Sequence, residues 1–109
     1  MRVAVVGSRG IIVDNLGAYL PPCDEIVSGG AKGVDACAAA YAVAHKIRLT
    51  EFLPQYKCYG RASPLVRNRN IFDYADRVLV FWDGKSKGSL SVIRYAQKTG
   101  KPCTVVLCS

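Results

Sequence analysis

The sequence predicts an α/β protein: one domain over residues 1–109, built as helices, sheet and helices in three layers. The sheet is expected to have five parallel strands in the order 3-2-1-4-5. Three observations predict this. Short runs with apolar interiors recur, best seen in Arg-Val-Ala-Val-Val-Gly at 2–7 and Arg-Val-Leu-Val-Phe-Trp at 77–82, the pattern of strands buried on both faces. Stretches of helical period separate these runs, and strict alternation of strand and helix gives a parallel sheet covered on both sides. Glycine-rich or basic turns follow three of the strands, at residues 7–10, 28–33 and 83–89, so all three fall at one edge of the sheet.

Taken in order, residues 2–7 form the first strand and Gly7-Ser8-Arg9-Gly10 the turn after it. A short helix is expected over 13–20, ended by Pro21-Pro22. Residues 25–28 are the second strand. Ser28-Gly29-Gly30-Ala31-Lys32-Gly33 turns the chain into a long alanine-rich helix over about 34–46. Val34, Cys37, Ala38, Tyr41 and Ala42 stand at i, i+3, i+4, i+7 and i+8, one face of that helix. Residues 48–53 are less hydrophobic and read as an edge strand. Residues 54–63 lack periodicity and read as a loop, long enough for a lid. A helix from Pro64 to about Ala75 follows, with Ser63 as its N-cap and proline in its first turn. The fourth strand is 77–82. Asp83-Gly84-Lys85-Ser86-Lys87-Gly88-Ser89 is the third turn. Residues 90–99 form the last helix, closed by Gly100, and 102–108 the last strand.

Half of the 109 residues are hydrophobic, enough for a core without staples. No apolar run approaches the ~18 residues of a membrane span. The apolar start of the chain is too short for a signal peptide, so a cytoplasmic protein is expected. Cys23, Cys37, Cys58, Cys103 and Cys108 form no C-x-x-C pair and His45 is the single histidine, so no metal site is expected. The cysteines read as small buried hydrophobes in a reduced compartment. Fifteen Lys and Arg against eight Asp and Glu give a net charge of +7, which favours anionic partners. Lys46, Arg48, Lys98 and Lys101 lie at predicted helix C-termini, where cations suit the dipole and need no ligand. Arg9, Lys32, Arg67, Arg69, Lys85 and Lys87 lie instead at or near strand-to-helix connections.

A glycine turn that opens a helix presents backbone N–H groups and a positive dipole end, which together suit a phosphate. It also serves plain chain reversal, and its spacing here is neither a Walker loop nor G-x-G-x-x-G. Three such turns at one edge favour a phosphorylated ligand. Arg67 and Arg69 stand about 200° apart on a regular helix, so only one of them faces that edge. Trp82, at a strand end, is a base-stacking candidate or a core residue. Tyr56 and Tyr59 in the loop are candidate covers for a base. Asp35 and Asp83 have two readings each, a bond to a ribose or a local cap at a helix start. No Ser–His–Asp set or close carboxylate pair points to a hydrolase.

Four segments in order, Val6-Gly7-Ser8-Arg9, Ser28-Gly29-Gly30-Ala31-Lys32-Gly33-Val34-Asp35, Arg67-Asn68-Arg69 and Gly84 through Ser89, resemble the SLOG superfamily of Rossmann-like domains. That superfamily is named for the Smf/DprA DNA-processing proteins and the LOG phosphoribohydrolases. The likeness is greatest to its small stand-alone YspA/YpsA-related members and covers nearly the whole chain. It implies a Rossmann-like fold and a ligand site built from Gly7, Ser8, Arg9, Ser28, Gly29, Gly30, Ala31, Lys32, Gly33, Asp35, Arg67, Asn68, Asp83, Gly84, Lys85, Lys87, Gly88 and Ser89. The ligand implied is a nucleotide or a nucleotide-derived molecule, bound in a sensor or processing role, with no other cofactor and with a homodimer as the assembly. Two alternatives come from the larger branches: single-stranded DNA binding in the DprA manner, and N-glycosidic hydrolysis in the LOG manner with Arg67 as the catalytic arginine. The LOG branch's catalytic glutamate falls on Ser91, which cannot act as that acid.

Overall fold

A computed structural model describes residues 1–8, 10–30 and 33–108. Five strands, β1 (Arg2–Gly7), β2 (Glu25–Ser28), β3 (Arg48–Glu51), β4 (Arg77–Trp82) and β5 (Cys103–Leu107), form one sheet in the order β3-β2-β1-β4-β5. Every pairing is parallel. The expected sheet and strand order are therefore observed. The order reverses between β1 and β4, so a crevice opens there beyond the strand C-termini.

Alternation along β1 decides which layer each side chain enters, because successive residues of a strand point to opposite faces. Val3 and Val5 join Ile26, Leu79 and Phe81 on one face, beneath Val34, Ala38 and Ala42 of helix α1 (Val34–Ala44). Ala4 and Val6 join Val27, Val78 and Val80 on the other face. There they meet Ile71 and Phe72 of α3 (Ser63–Tyr74) and Val92 and Ala96 of α4 (Lys87–Thr99). Ala38 and Ala42 are fully buried, and their small side chains let α1 lie close to the sheet. Cys37 and Tyr41, expected on the same face, are only half-buried. No helix among the described residues is long and apolar enough to cross a membrane.

Four local expectations need correction. Residues 13–20 hold only a three-residue 3-10 turn, Leu16–Ala18, rather than a helix. Gly17 weakens helix formation there and sits against the ring of Tyr41, where a Cβ would come within 3.0 Å of the hydroxyl. The loop at 54–63 contains a one-turn helix, α2 (Tyr56–Tyr59), and a 3-10 turn, Gly60–Ala62. Ser63 is the first residue of α3 rather than its cap, and its hydroxyl donates to Gly60 O at 2.6 Å. Helix α4 begins at Lys87 instead of Leu90. Gly100 does close that helix, in the left-handed conformation, its N–H donating to Ala96 O.

The opposite edge of the sheet is held by polar contacts. Arg2 N–H donates to Asp76 Oδ2 at 2.8 Å and Asp76 N–H donates back to Arg2 O at 2.8 Å. Glu25 is buried and accepts from Tyr74 Oη at 2.6 Å and Thr50 Oγ1 at 2.7 Å, with Arg48 Nε at 3.7 Å. The hydroxyls of Tyr74 and Thr50, then the nearby Arg48 and Arg2, hold its carboxyl below the usual range against the opposing effect of burial. Lys101 Nζ donates to Phe72 O and to Ala75 O, closing the C-terminal end of α3 from the far side of α4.

Candidate functional site

Beyond the C-terminal ends of β1 and β4 lies a cleft of about 470 Å³. The ends of β1, β2 and β4 supply Val6, Gly7, Ser8, Gly29 and Asp83, and Gly10 follows from the first turn. The first turn of α1 supplies Asp35, the N-cap of α4 supplies Ser86, and α4 itself supplies Gly88, Ser89 and Val92. Helix α3 closes the remaining side with Pro64, Arg67, Asn68 and Ile71.

Backbone geometry explains the two glycines at the strand ends. A Cβ on Gly7 would stand 2.6 Å from Val34 Cγ2 and 2.7 Å from Phe81 O, so β1 can end against α1 and β4 only without a side chain. A Cβ on Gly29 would stand 2.5 Å from Arg67 Nη1 and 3.1 Å from Asp35 Oδ2. That space is what Arg67 uses. Its Nη1 donates to Gly29 O at 2.7 Å and its Nε to Asn68 Oδ1 at 3.0 Å, so a buried guanidinium ties α3 to the turn after β2. Arg69, one residue from Asn68, is exposed on the outer side of α3 and lies over the Tyr95 ring at 5.3 Å. The helical phase thus separates the two arginines as expected, with Arg67 at the cleft.

Ser8 stands at the floor. Its N–H donates to Phe81 O at 3.2 Å, the residue is 5% exposed, and its Oγ has no hydrogen-bond partner among the described residues. Across from it, Asp83 Oδ1 accepts from the N–H groups of Lys85 and Ser86, each at 2.8 Å. These two donors, Ser86 first, hold the Asp83 carboxyl below the usual range. The Ser8 hydroxyl adds a smaller contribution in the same direction. Among the described residues neither the Gly33 start of α1 nor the Ser86 start of α4 makes a side-chain cap bond, and the first turns of the two helices border the cleft at Asp35 and at Gly88 and Ser89.

Of the expected site residues, Gly7, Ser8, Gly29, Asp35, Arg67, Asn68, Asp83, Gly88 and Ser89 line the cleft together. Arg9, Ala31 and Lys32 lie outside the described residues. Ser28, Gly30, Gly33 and Gly84 shape the turns without lining it. Ser28 is fully buried, and Gly30, Gly33 and Gly84 have φ of 70°, 71° and 83°, a region glycine adopts without strain. Lys85 and Lys87 are exposed and line no part of it. Trp82 also stays out. It packs half-buried against the core, and its Nε1 donates to Ser86 O at 3.0 Å, which braces the third turn. Tyr56 and Tyr59 are exposed and do not line the cleft either.

The chemistry differs in balance from the expectation. Only two of the three turns open directly into α-helices, because the first leads to irregular chain and a 3-10 turn. Among the described lining residues Arg67 is the one cation, against the carboxylates of Asp35 and Asp83. Among the described residues, the features of the cleft that suit an anion are the first turn of α4 and the Arg67 guanidinium. Pro64 and Ile71 belong to the lining and were not singled out from sequence. They stand three residues before and four after Arg67, so the same helical phase identifies them. Ser91 faces away from the cleft, in a neighbouring groove. Among the described residues no three His, Cys, Asp or Glu side chains are placed to hold a metal ion. Comparisons with protein-family models, with curated proteins and with solved structures give no match to this chain.

Proposed function

We propose that the cleft binds a nucleotide or nucleotide-derived small molecule through its phosphate, as a cytoplasmic sensor or processing domain of the SLOG kind. The observation that carries this is the Ser8 hydroxyl, buried in the cleft floor with no hydrogen-bond partner among the described residues. Leaving a buried polar group unsatisfied costs about 1–3 kcal/mol, and a ligand oxygen at that point removes the cost. A phosphate seated there meets the first turn of α4 at Gly88 and Ser89 on one side and Arg67 on the other. Helix N-termini and a planar guanidinium both recognise phosphate oxygens. The two carboxylates fit the rest of such a molecule. Asp35 and Asp83 repel a bare polyphosphate and accept hydrogen bonds from hydroxyls, so a phosphate joined to a ribose suits this lining better than a polyanion.

Thermal melts with AMP, ADP-ribose and NAD test the reading. A nucleotide present at about 100 times its dissociation constant stabilises by ~2.7 kcal/mol, a rise of roughly 10–20 °C for a domain of this size. Gly88→Asp is the decisive variant. A Cβ at Gly88 meets no atom within 4 Å, and an acidic residue in the first turn of α4 favours the helix by ~0.3–1 kcal/mol. The variant is expected to melt at or above the parent temperature and to lose the nucleotide-dependent rise. A variant that keeps the full rise overturns the proposal.

A further inference from the structure

Helices α3 and α4 leave a second groove on the outer surface, of about 190 Å³, separated from the cleft by Asn68 and Val92, which border both. Its floor is Phe72, Val92 and the body of Tyr95, with Leu65 exposed at one end. Its rim is Arg69, Arg94 and Lys98, all exposed. No carboxylate among the described residues lines it. Helix α4 carries no acidic residue at all, and the chain from Gly84 to Ser109 contains five cations and no Asp or Glu. The only acid on α3, Asp73, is exposed and lines no part of the groove. Among the described residues no ion pair engages Arg69, Arg94 or Lys98.

We propose that this groove docks an acidic amphipathic peptide segment of another protein, apolar side chains inward and carboxylates toward the three cations. An apolar floor between two helices with charges at its margin is the geometry by which helical segments are bound in grooves. The rim charge selects an acidic partner and steers its approach. A second copy of this chain is disfavoured by its own net charge of +7. A nucleic-acid strand fits less well. The floor's aromatic rings are not open for stacking, since Phe72 is buried and the Tyr95 ring is already engaged by Phe72 at 4.6 Å and by Arg69 at 5.3 Å.

The test is fluorescence anisotropy with a labelled helical peptide carrying leucine along one face and glutamate along the other. A scrambled peptide of the same composition and a short oligothymidine serve as comparators. The amphipathic peptide is expected to bind at least about tenfold more tightly than either comparator. Its affinity should fall about tenfold or more in the double variant Arg94→Glu, Lys98→Glu. A second double variant, Lys46→Glu with Lys57→Glu, changes net charge equally at exposed sites outside the groove and is expected to bind as the parent does. Melting curves of both variants establish that each is folded. Equal binding of the scrambled peptide, equal loss in both variants, or tighter binding of oligothymidine with the same Arg94 and Lys98 dependence overturns the proposal. Saturation of the cleft with AMP leaves the result unchanged, so a failure here is distinct from a failure of the nucleotide reading.

Discussion

Gly7 and Gly29 look alike in sequence and differ in what surrounds them. The missing side chain at Gly7 faces Phe81 O, a backbone atom of the central ladder, and Val34 at the start of α1. Neither can retreat without moving a strand or a helix. Gly7→Ala is expected to cost ~1–3 kcal/mol or more, read as a lower urea midpoint at unchanged slope. The missing side chain at Gly29 faces the tip of Arg67, which can swing away. Gly29→Ala is expected to stay folded at a smaller cost, but to break the 2.7 Å bond that holds Arg67 and so to weaken nucleotide binding in a titration. If Gly29→Ala binds as tightly as the parent, Arg67 is not a ligand-holding residue. The glycines were legible in the sequence, and so was the fact that only one of Arg67 and Arg69 reaches the cleft, but spacing alone did not say which, and the packing of α3 decides it. The role of Trp82 was not legible. A strand-end tryptophan has the same local signature whether its indole faces a cleft or ties its own turn, and only the position of Ser86 O decides.

Elements were legible where one periodicity dominated. The apolar runs became strands and the alanine-rich run became α1, because a central strand or a tightly packed helix leaves few alternatives. The early start of α4 was hidden. Lys87-Gly88-Ser89 has turn composition, yet Asp83 accepts from Lys85 and Ser86 and sets the chain into helix at once. The end of α3 near Ala75 was legible, but its closing cation was not, since that comes from another element. Lys101 was expected to serve a helix C-terminus, and it serves α3, through Phe72 O and Ala75 O, while lying over the Phe72 ring at 4.7 Å. Lys101→Met retains the stem and removes the charged donor. It is expected to destabilise by ~1.5–3 kcal/mol, whereas Lys98→Met, at an exposed position on α4, should change stability by less than ~0.5 kcal/mol. Equal urea midpoints for the two variants would remove the capping role.

Across the whole molecule the carboxylates set how stability responds to acid. Glu25, Asp76 and Asp83 all have folded values below their ordinary ones, Glu25 chiefly through Tyr74 and Thr50, Asp76 through the Arg2 N–H, and Asp83 through Ser86 and Lys85. A depressed carboxyl favours the folded state at any pH above its unfolded value, about 4 for these groups, and this contribution is lost as pH falls through the folded value. Stability is therefore expected to hold from neutrality to about pH 5 and to decline below about pH 4, where protonation also raises a positive net charge that is already large. Glu25→Gln keeps an acceptor for Tyr74 and Thr50 but gives up the charge. It should lower neutral stability by ~1 kcal/mol and flatten the acid decline in pH-dependent urea titrations. An unchanged acid limb would assign the decline to other groups. The strand order has its own consequence. The strand made first lies at the centre of the sheet, and β1 remains an open edge until Arg77–Trp82 has been synthesised. The elements β1 to β3 with α1 are adjacent in the sheet and complete in the chain before α3 is made. The other half, α3 to β5, arrives later and joins them along a single seam. Ser8 and Gly29 stand on the early side of that seam and Arg67 and Gly88 on the late side, so a molecule held between them is a clasp across two separately made halves.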